Sequence, residues 1–198
     1  TFGVEIAEDK LMHIPTLRQL SGYIAERKER IAVELINWRE ILKEQVDSGL
    51  PRTWFTINVI KNLSNLLFHC YFRFHTEGRE HIPNTPCIIA PNHQSFIDGL
   101  LVAAGLQNTL MQRTCFYAKA KHLQNRWLRF LADRNNVVIM DIHADVRQSI
   151  QKVATLLQSG KNVIIFPEGT RTLDGALGEF KKTFAILSKE LNVPVVPV

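Results

Sequence analysis

The run Cys87-Ile88-Ile89-Ala90-Pro91-Asn92-His93-Gln94-Ser95-Phe96-Ile97-Asp98-Gly99-Leu100-Leu101-Val102-Ala103-Ala104 decides how the chain is read. Its apolar start, 87–90, reads as a buried strand, and 100–104 reads as a helix. Between them a His leaves the strand and an Asp follows five residues on, a candidate base and its orienting carboxylate. Inside one helix the two would stand about 140° apart around the axis, too far to pair. His93 is therefore expected in the turn, with Asp98 in or near the first helical turn, where the helix dipole also favours a carboxylate. Asp98 would accept from one ring nitrogen and leave the other to take a proton from a hydroxyl. The plainer alternative is a capping Asp and a loop His.

A second stretch repeats the layout. In Val163-Ile164-Ile165-Phe166-Pro167-Glu168-Gly169-Thr170-Arg171 a buried strand again breaks into a polar turn. Pro167 ends the strand and Gly169 lets backbone approach a ligand. Arg171 offers a planar fork suited to phosphate or carboxylate. By itself this could be a strand end with a surface ion pair. The strand of this second stretch is expected over 162–167, with others at 115–119, 137–141 and 193–198 and a short one at 71–74. Helices are expected near 97–105, 122–132, 145–158 and 180–191, with Ser159-Gly160 ending the third. The alternation gives an α/β fold: a mixed or largely parallel sheet flanked by helices, with helical segments ahead of it. Sites on such sheets form at strand ends, where both motifs lie.

Taken together, and in this order, the two stretches resemble the glycerophospholipid acyltransferases of the 1-acylglycerol-3-phosphate acyltransferase type. That family's first motif is Asn-His, four residues, then Asp; its third is Phe-Pro-Glu-Gly-Thr-Arg. Val193-Pro194-Val195-Val196-Pro197-Val198 looks like its fourth, and Glu77-Gly78-Arg79-Glu80-His81-Ile82-Pro83 like the turn before its first. The likeness covers roughly residues 52–198. It implies His93 and Asp98 as the catalytic pair, and Asn92, Glu168, Gly169, Thr170 and Arg171 as substrate-binding residues, with Arg171 supplying positive charge to an acceptor phosphate. It also implies an acyl thioester, on coenzyme A or a phosphopantetheine carrier, as co-substrate, with no metal or redox cofactor. The second motif departs. Asn136-Val137-Val138-Ile139-Met140-Asp141-Ile142 aligns with a Gly, apolar, Phe-Ile-Asp-Arg pattern, yet Asn136 stands for the Gly and Ile142 for the Arg. That Arg helps hold the acceptor phosphate in the family, so the acceptor is left open. Lys119, Lys121, Arg134, Lys181 and Lys182 are candidate substitutes, each also readable as a solvated charge.

The totals narrow the rest. The 198 residues are 45% hydrophobic, with formal net charge +5. A basic chain suits an anionic partner. No nucleic-acid motif is present, so membrane phospholipid or a phosphorylated substrate is the better reading. Cys70, Cys87 and Cys115 lie in apolar runs without disulfide or metal spacing and read as reduced thiols. His122 and His143 form no metal-ligand pattern with His93. Ser95 lacks the Gly-x-Ser-x-Gly elbow of a nucleophile and reads as a turn residue. The sequence begins without Met, carries no signal peptide and stops in an apparent strand, so it reads as an excerpt.

Three segments precede or make up the domain. Residues 1–24, with Thr16 capping a short helix built on Leu17, Leu20 and Ile24, look like the C-terminal part of an acyl carrier protein. A carrier tethered in the same polypeptide would raise the local concentration of acyl donor. The plainer reading is an amphipathic appendage. Residues 25–51 read as a helical linker, with Ile31, Leu35, Trp38 and Leu42 at helical spacing. Residues 52–198 form the acyltransferase-like domain. Its first part, 52–74, is rich in large apolar side chains but carries Asn58, Lys61, Asn62, Asn65 and His69 as a polar stripe. That pattern argues against a transmembrane helix and for one lying in a membrane interface, with burial against the domain as the alternative. The expected location is the cytoplasmic face of a membrane, held peripherally. The expected activity is transfer of a fatty acyl group to a hydroxyl of a lysophosphatidate-like glycerolipid. The alternatives are another lysophospholipid acceptor, or a non-catalytic lipid-surface module.

Overall fold

A computed structural model describes residues 38–44, 50–119, 123, 125–140, 146–172 and 175–198. The carrier-like segment 1–24, most of the linker helix, and Lys121, His122, Asp141, Ile142 and His143 lie outside these residues. The chain divides into two compact units, Thr1–Glu40 and Ile41–Val198. The sheet and both motifs belong to the second unit.

Five strands build the sheet: β1 (Ile88–Ala90), β2 (Thr114–Lys119), β3 (Val137–Met140), β4 (Asn162–Ile164) and β5 (Val195–Pro197). Their order is β3-β2-β4-β1-β5, and every pairing is parallel. The apolar runs account for the short central strands. Ile88, Ile89, Val163 and Ile164 are β-branched and buried, as strands covered on both faces require. Asn162 is one buried polar side chain of this core that is paired. Asn162 accepts from the Cys87 N–H through Oδ1 at 3.2 Å and donates to Thr114 Oγ1 at 3.3 Å, which ties β4 to both neighbours.

The helices are α1 (Trp38–Lys43), α2 (Thr56–Phe72), α3 (Asp98–Gly105), α4 (Asn108–Gln112), α5 (Arg126–Arg134), α6 (Val146–Gln158) and α7 (Thr183–Leu191), with a 3-10 turn at Arg79–His81. Parallel strands joined by crossovers wind right-handed. The connections from β1 to β2 and from β2 to β3 run one way across the sheet; those from β3 to β4 and from β4 to β5 run back. Helices α3 to α5 thus cover one face and α6 and α7 the other. Helix α2 packs against α3 and α4, and α6 against α7. Where β1 and β4 lie side by side, their outgoing connections leave for opposite faces, which makes their C-terminal ends the switch point at which such sheets carry their sites.

Several boundaries depart from expectation. Tyr71 and Phe72 are not strand residues: they form the last turn of α2, which ends when Arg73 turns left-handed at φ 51°. The aromatic run looks like a strand, but the helical spacing of the whole segment prevails. The short helix α4 has no counterpart in the expected pattern. Strand β4 stops at Ile164, although Ile165 N–H still bonds Ile89 C=O at 2.9 Å. Helix α6 does end at Gln158, just before Ser159-Gly160. Asn136, standing where the family pattern has Gly, adopts φ 57°. Asn accepts that conformation better than most residues. Its buried side chain is used: Oδ1 accepts from Thr53 Oγ1 at 2.6 Å, and Nδ2 donates to Gln112 C=O at 2.8 Å.

Candidate active site

The sheet register assembles the site. Ile89 pairs with Ile164, and four residues beyond each stand His93 and Glu168. Two strands in register therefore deliver these residues side by side. The Glu168 carboxylate, 3% exposed, joins the two turns: Oε1 accepts from the His93 backbone N–H at 2.7 Å. Its other oxygen accepts from Gly178 N–H at 2.8 Å. A Cβ at position 178 would lie 2.8 Å from Glu168 Oε2, so only Gly lets the loop come this close. Thr172 N–H donates to His93 C=O at 3.0 Å, closing the link between the turns.

Asp98 opens α3, as its place five residues after His93 required. Its Oδ2 stands 3.0 Å from His93 Nδ1 and accepts from the N–H groups of Gln94 and Ser95, each at 2.7 Å. Partial burial works to raise the Asp98 pKa. The bonds from Ser95 N–H, the His93 ring and Gln94 N–H outweigh it and hold the carboxyl below its usual range. An ionised Asp98 can only accept, so Nδ1 bears the proton and Nε2 holds the lone pair. The ring is steadied by Phe166, stacked at 4.1 Å between centroids. Asp98 accepts from the N–H groups of its turn, as the plainer reading of a capping Asp has it, and also meets the His93 ring.

Because the Asp98 pKa is lowered on folding, its stabilisation is present at neutral pH, above the unfolded carboxylate value. It is lost as pH falls through the acid range towards the folded value. Asp98→Asn is expected to flatten the acid side of the stability profile, read by denaturant unfolding across pH 3–7 (a span of about 4 pH units bracketing ordinary carboxylates).

The other expected residues are distributed as follows. Arg171 lies with its guanidinium carbon 3.3 Å from the Phe96 ring centroid, which holds the fork beside the His93 turn. Gly169 takes φ 69°, a turn conformation suited to Gly, and its N–H donates to Phe166 C=O at 3.0 Å. Asn92 and Thr170 are exposed on the two turns. Of the substitute cations, Arg134 is engaged elsewhere, its guanidinium 3.6 Å from the Phe130 ring centroid and 4.8 Å from that of Trp54. Lys181 follows the third motif closely in space: a Cβ on Gly169 would stand 3.4 Å from Lys181 Cγ. Sequence reasoning gave no role to Phe166, Gln94 or Gly178, although Phe166 opens the third motif and Gly178 is one of two glycines shortly after it. No group of metal-ligating side chains occurs among the described residues.

A buried carboxylate thus bridges two strand-end turns, one bearing an Asp-oriented His and the other an Arg. It sits at the switch point of an open parallel sheet. The chain belongs to the acyltransferase family, whose model matches residues 73–198. Among curated relatives, a chloroplastic 1-acyl-sn-glycerol-3-phosphate acyltransferase of Brassica napus is 29% identical over 71% of this chain and 40% of its own length. The mouse 1-acyl-sn-glycerol-3-phosphate acyltransferase alpha is 30% identical over 70% of this chain and 50% of its own length. The crystal structure of PlsC, the 1-acyl-sn-glycerophosphate acyltransferase of Thermotoga maritima, superposes with a TM-score of 0.55 at 29% identity. That match covers 71% of this chain and 56% of the other. The chain thus spans about half or less of the curated relatives it matches.

Proposed function

We propose that this domain is an O-acyltransferase that moves a fatty acyl group from an acyl thioester to the free hydroxyl of lysophosphatidate. The observation that carries the reading is the His93–Asp98 pair held against Glu168. His93 Nε2 takes the acceptor's hydroxyl proton as its oxygen attacks the thioester carbonyl. The tetrahedral intermediate collapses, the C–S bond breaks, and the departing thiolate recovers the proton from the imidazolium. The acyl group passes directly, without a covalent acyl-enzyme. Arg171, oriented by Phe96, receives the acceptor phosphate. No metal or redox group is required by these steps, and the thioester is carried by coenzyme A or a phosphopantetheine arm.

The domain works at a membrane surface, on the cytoplasmic face. No helix among the described residues is long and apolar enough to cross a membrane. Helix α2 supports an interfacial placement: Val59, Ile60, Leu63, Leu66 and Leu67 are all exposed on it, while Ile57 and Phe68 are buried.

A second reading, an acceptor bearing a headgroup, rests on Ile142 in place of the second-motif Arg and on the engagement of Arg134 with Phe130 and Trp54. Both readings are tested by one assay: labelled acyl-coenzyme A and acyl-carrier donors against lysophosphatidate, glycerol 3-phosphate and lysophosphatidylethanolamine. Product with lysophosphatidate is the expected result. Product with lysophosphatidylethanolamine alone would transfer the function to the second reading, and no product from any pair would reject both.

A further inference from the structure

Residues 175–182 are irregular up to the start of α7, yet they are fastened to the two strand-end turns at three points. Gln94 Nε2 donates to Gly175 C=O at 2.9 Å, Gly178 N–H to Glu168 Oε2 at 2.8 Å, and Lys181 N–H to Pro167 C=O at 2.8 Å. A loop held this firmly from beneath would be expected to turn polar side chains to water. Instead Leu177 is 66% exposed and Phe180 is 49% exposed, the latter resting one edge on Phe184 of α7. On the His93 turn, to which Gln94 bonds the loop, Phe96 is 73% exposed. Isolated exposed apolar residues are ordinary; several large ones on a loop and a turn bonded to each other are not.

Charge identifies the occupant. Lys181 and Lys182 follow Phe180 directly, and Arg171 stands over Phe96. Glu179 is the single acidic side chain within 175–182. Apolar side chains that enter an acyl layer, backed by cations at headgroup depth, match an anionic phospholipid surface.

We infer that the 175–182 loop is a lipid-contacting rim: Leu177 and Phe180 enter the bilayer interface, Lys181 and Lys182 meet anionic headgroups, and the loop sets the site mouth against the membrane. The inference rests on the acyltransferase reading for its consequence but not for its lipid contact. It adds to α2 a second contact, one fastened to Glu168 and hence to the His93 turn. The mouth is thereby held where an amphiphilic acceptor leaves the bilayer.

The test compares the full chain with its Leu177→Gln/Phe180→Gln variant. Binding is measured by sedimentation with phosphatidylcholine–phosphatidylglycerol vesicles. The two side chains are expected to account for about a tenfold to hundredfold loss of vesicle affinity. Turnover of long-chain lysophosphatidate presented in those vesicles should fall by a similar factor. Turnover of a short-chain lysophosphatidate dissolved as monomer should be unchanged. Glu179→Lys, which removes the acidic charge, should tighten binding to the anionic vesicles about tenfold and leave phosphatidylcholine vesicles unaffected. Unchanged vesicle affinity in the double variant would overturn the inference. So would an equal loss on vesicular and monomeric acceptors, because the loop would then only be supporting His93. If the unaltered chain turned over neither acceptor, the proposed activity would fall, and the vesicle measurements would still decide the lipid contact.

Discussion

His93→Ala is expected to lower kcat for acyl transfer to lysophosphatidate by about 10²–10⁴-fold, the range that a positioned general base contributes. The ring owes this to its position. Nδ1 is held by Asp98 at 3.0 Å, the ring is stacked on Phe166, and the backbone on both sides of the ring is bonded, through His93 N–H to Glu168 and His93 C=O to Thr172. Removing the ring takes away the base without removing any of these backbone bonds. The variant should therefore remain folded and keep its vesicle affinity, while thiol release from acyl-coenzyme A in the presence of acceptor falls by the same factor. Undiminished transfer by the variant would end the assignment of His93 as base.

Glu168→Gln should lower kcat about a hundredfold and leave KM for the acceptor close to its original value. The family resemblance groups Glu168 with the substrate-binding residues, which would predict the opposite, a raised KM. The structure places both carboxylate oxygens on backbone N–H groups, one in the His93 turn and one in the loop at Gly178. An amide of the same shape offers one acceptor and turns an NH₂ towards the other N–H, so one bond becomes a clash of donors. The buried donor left unpaired costs about 1–3 kcal/mol of stability. The larger effect is on geometry, since a displacement of about 1 Å in a reacting group can cost 10²-fold in rate. Steady-state kinetics resolved into kcat and KM decide between the two roles, and a denaturant midpoint checks that the variant remains folded.

The architecture was legible for a physical reason. Runs such as Cys87-Ile88-Ile89-Ala90 are too short and too uniformly apolar for anything but strands buried on both faces, and alternation with helices then implies a parallel sheet. The His93–Asp98 pairing was legible because five-residue spacing excludes both residues from one helix. The end of α2 was not legible: Arg73 adopts a left-handed cap conformation, for which a Gly would have been the usual signal. Nor could sequence foretell which way Glu168 faces. A carboxylate after a strand reads equally as ligand or as brace until the register with a strand 75 residues away is known. The lost Gly at Asn136 looked like damage to the second motif. In the fold, Asn holds the same left-handed backbone and adds bonds that a Gly has no atoms to make.

The strand order also bears on how the polypeptide reaches this state in a cell. β1 is the earliest strand of the sheet, yet its two neighbours are β4 and β5, the last to be made. At ribosomal rates of about 5–20 residues per second, the 75 residues separating His93 from Glu168 take roughly 4–15 s to synthesise. Throughout that interval Ile88 and Ile89 have no strand to pair with, and the turn carrying the base has no carboxylate to brace it. A truncation between residues 91 and 161 leaves β1 with neither of its neighbours in the sheet.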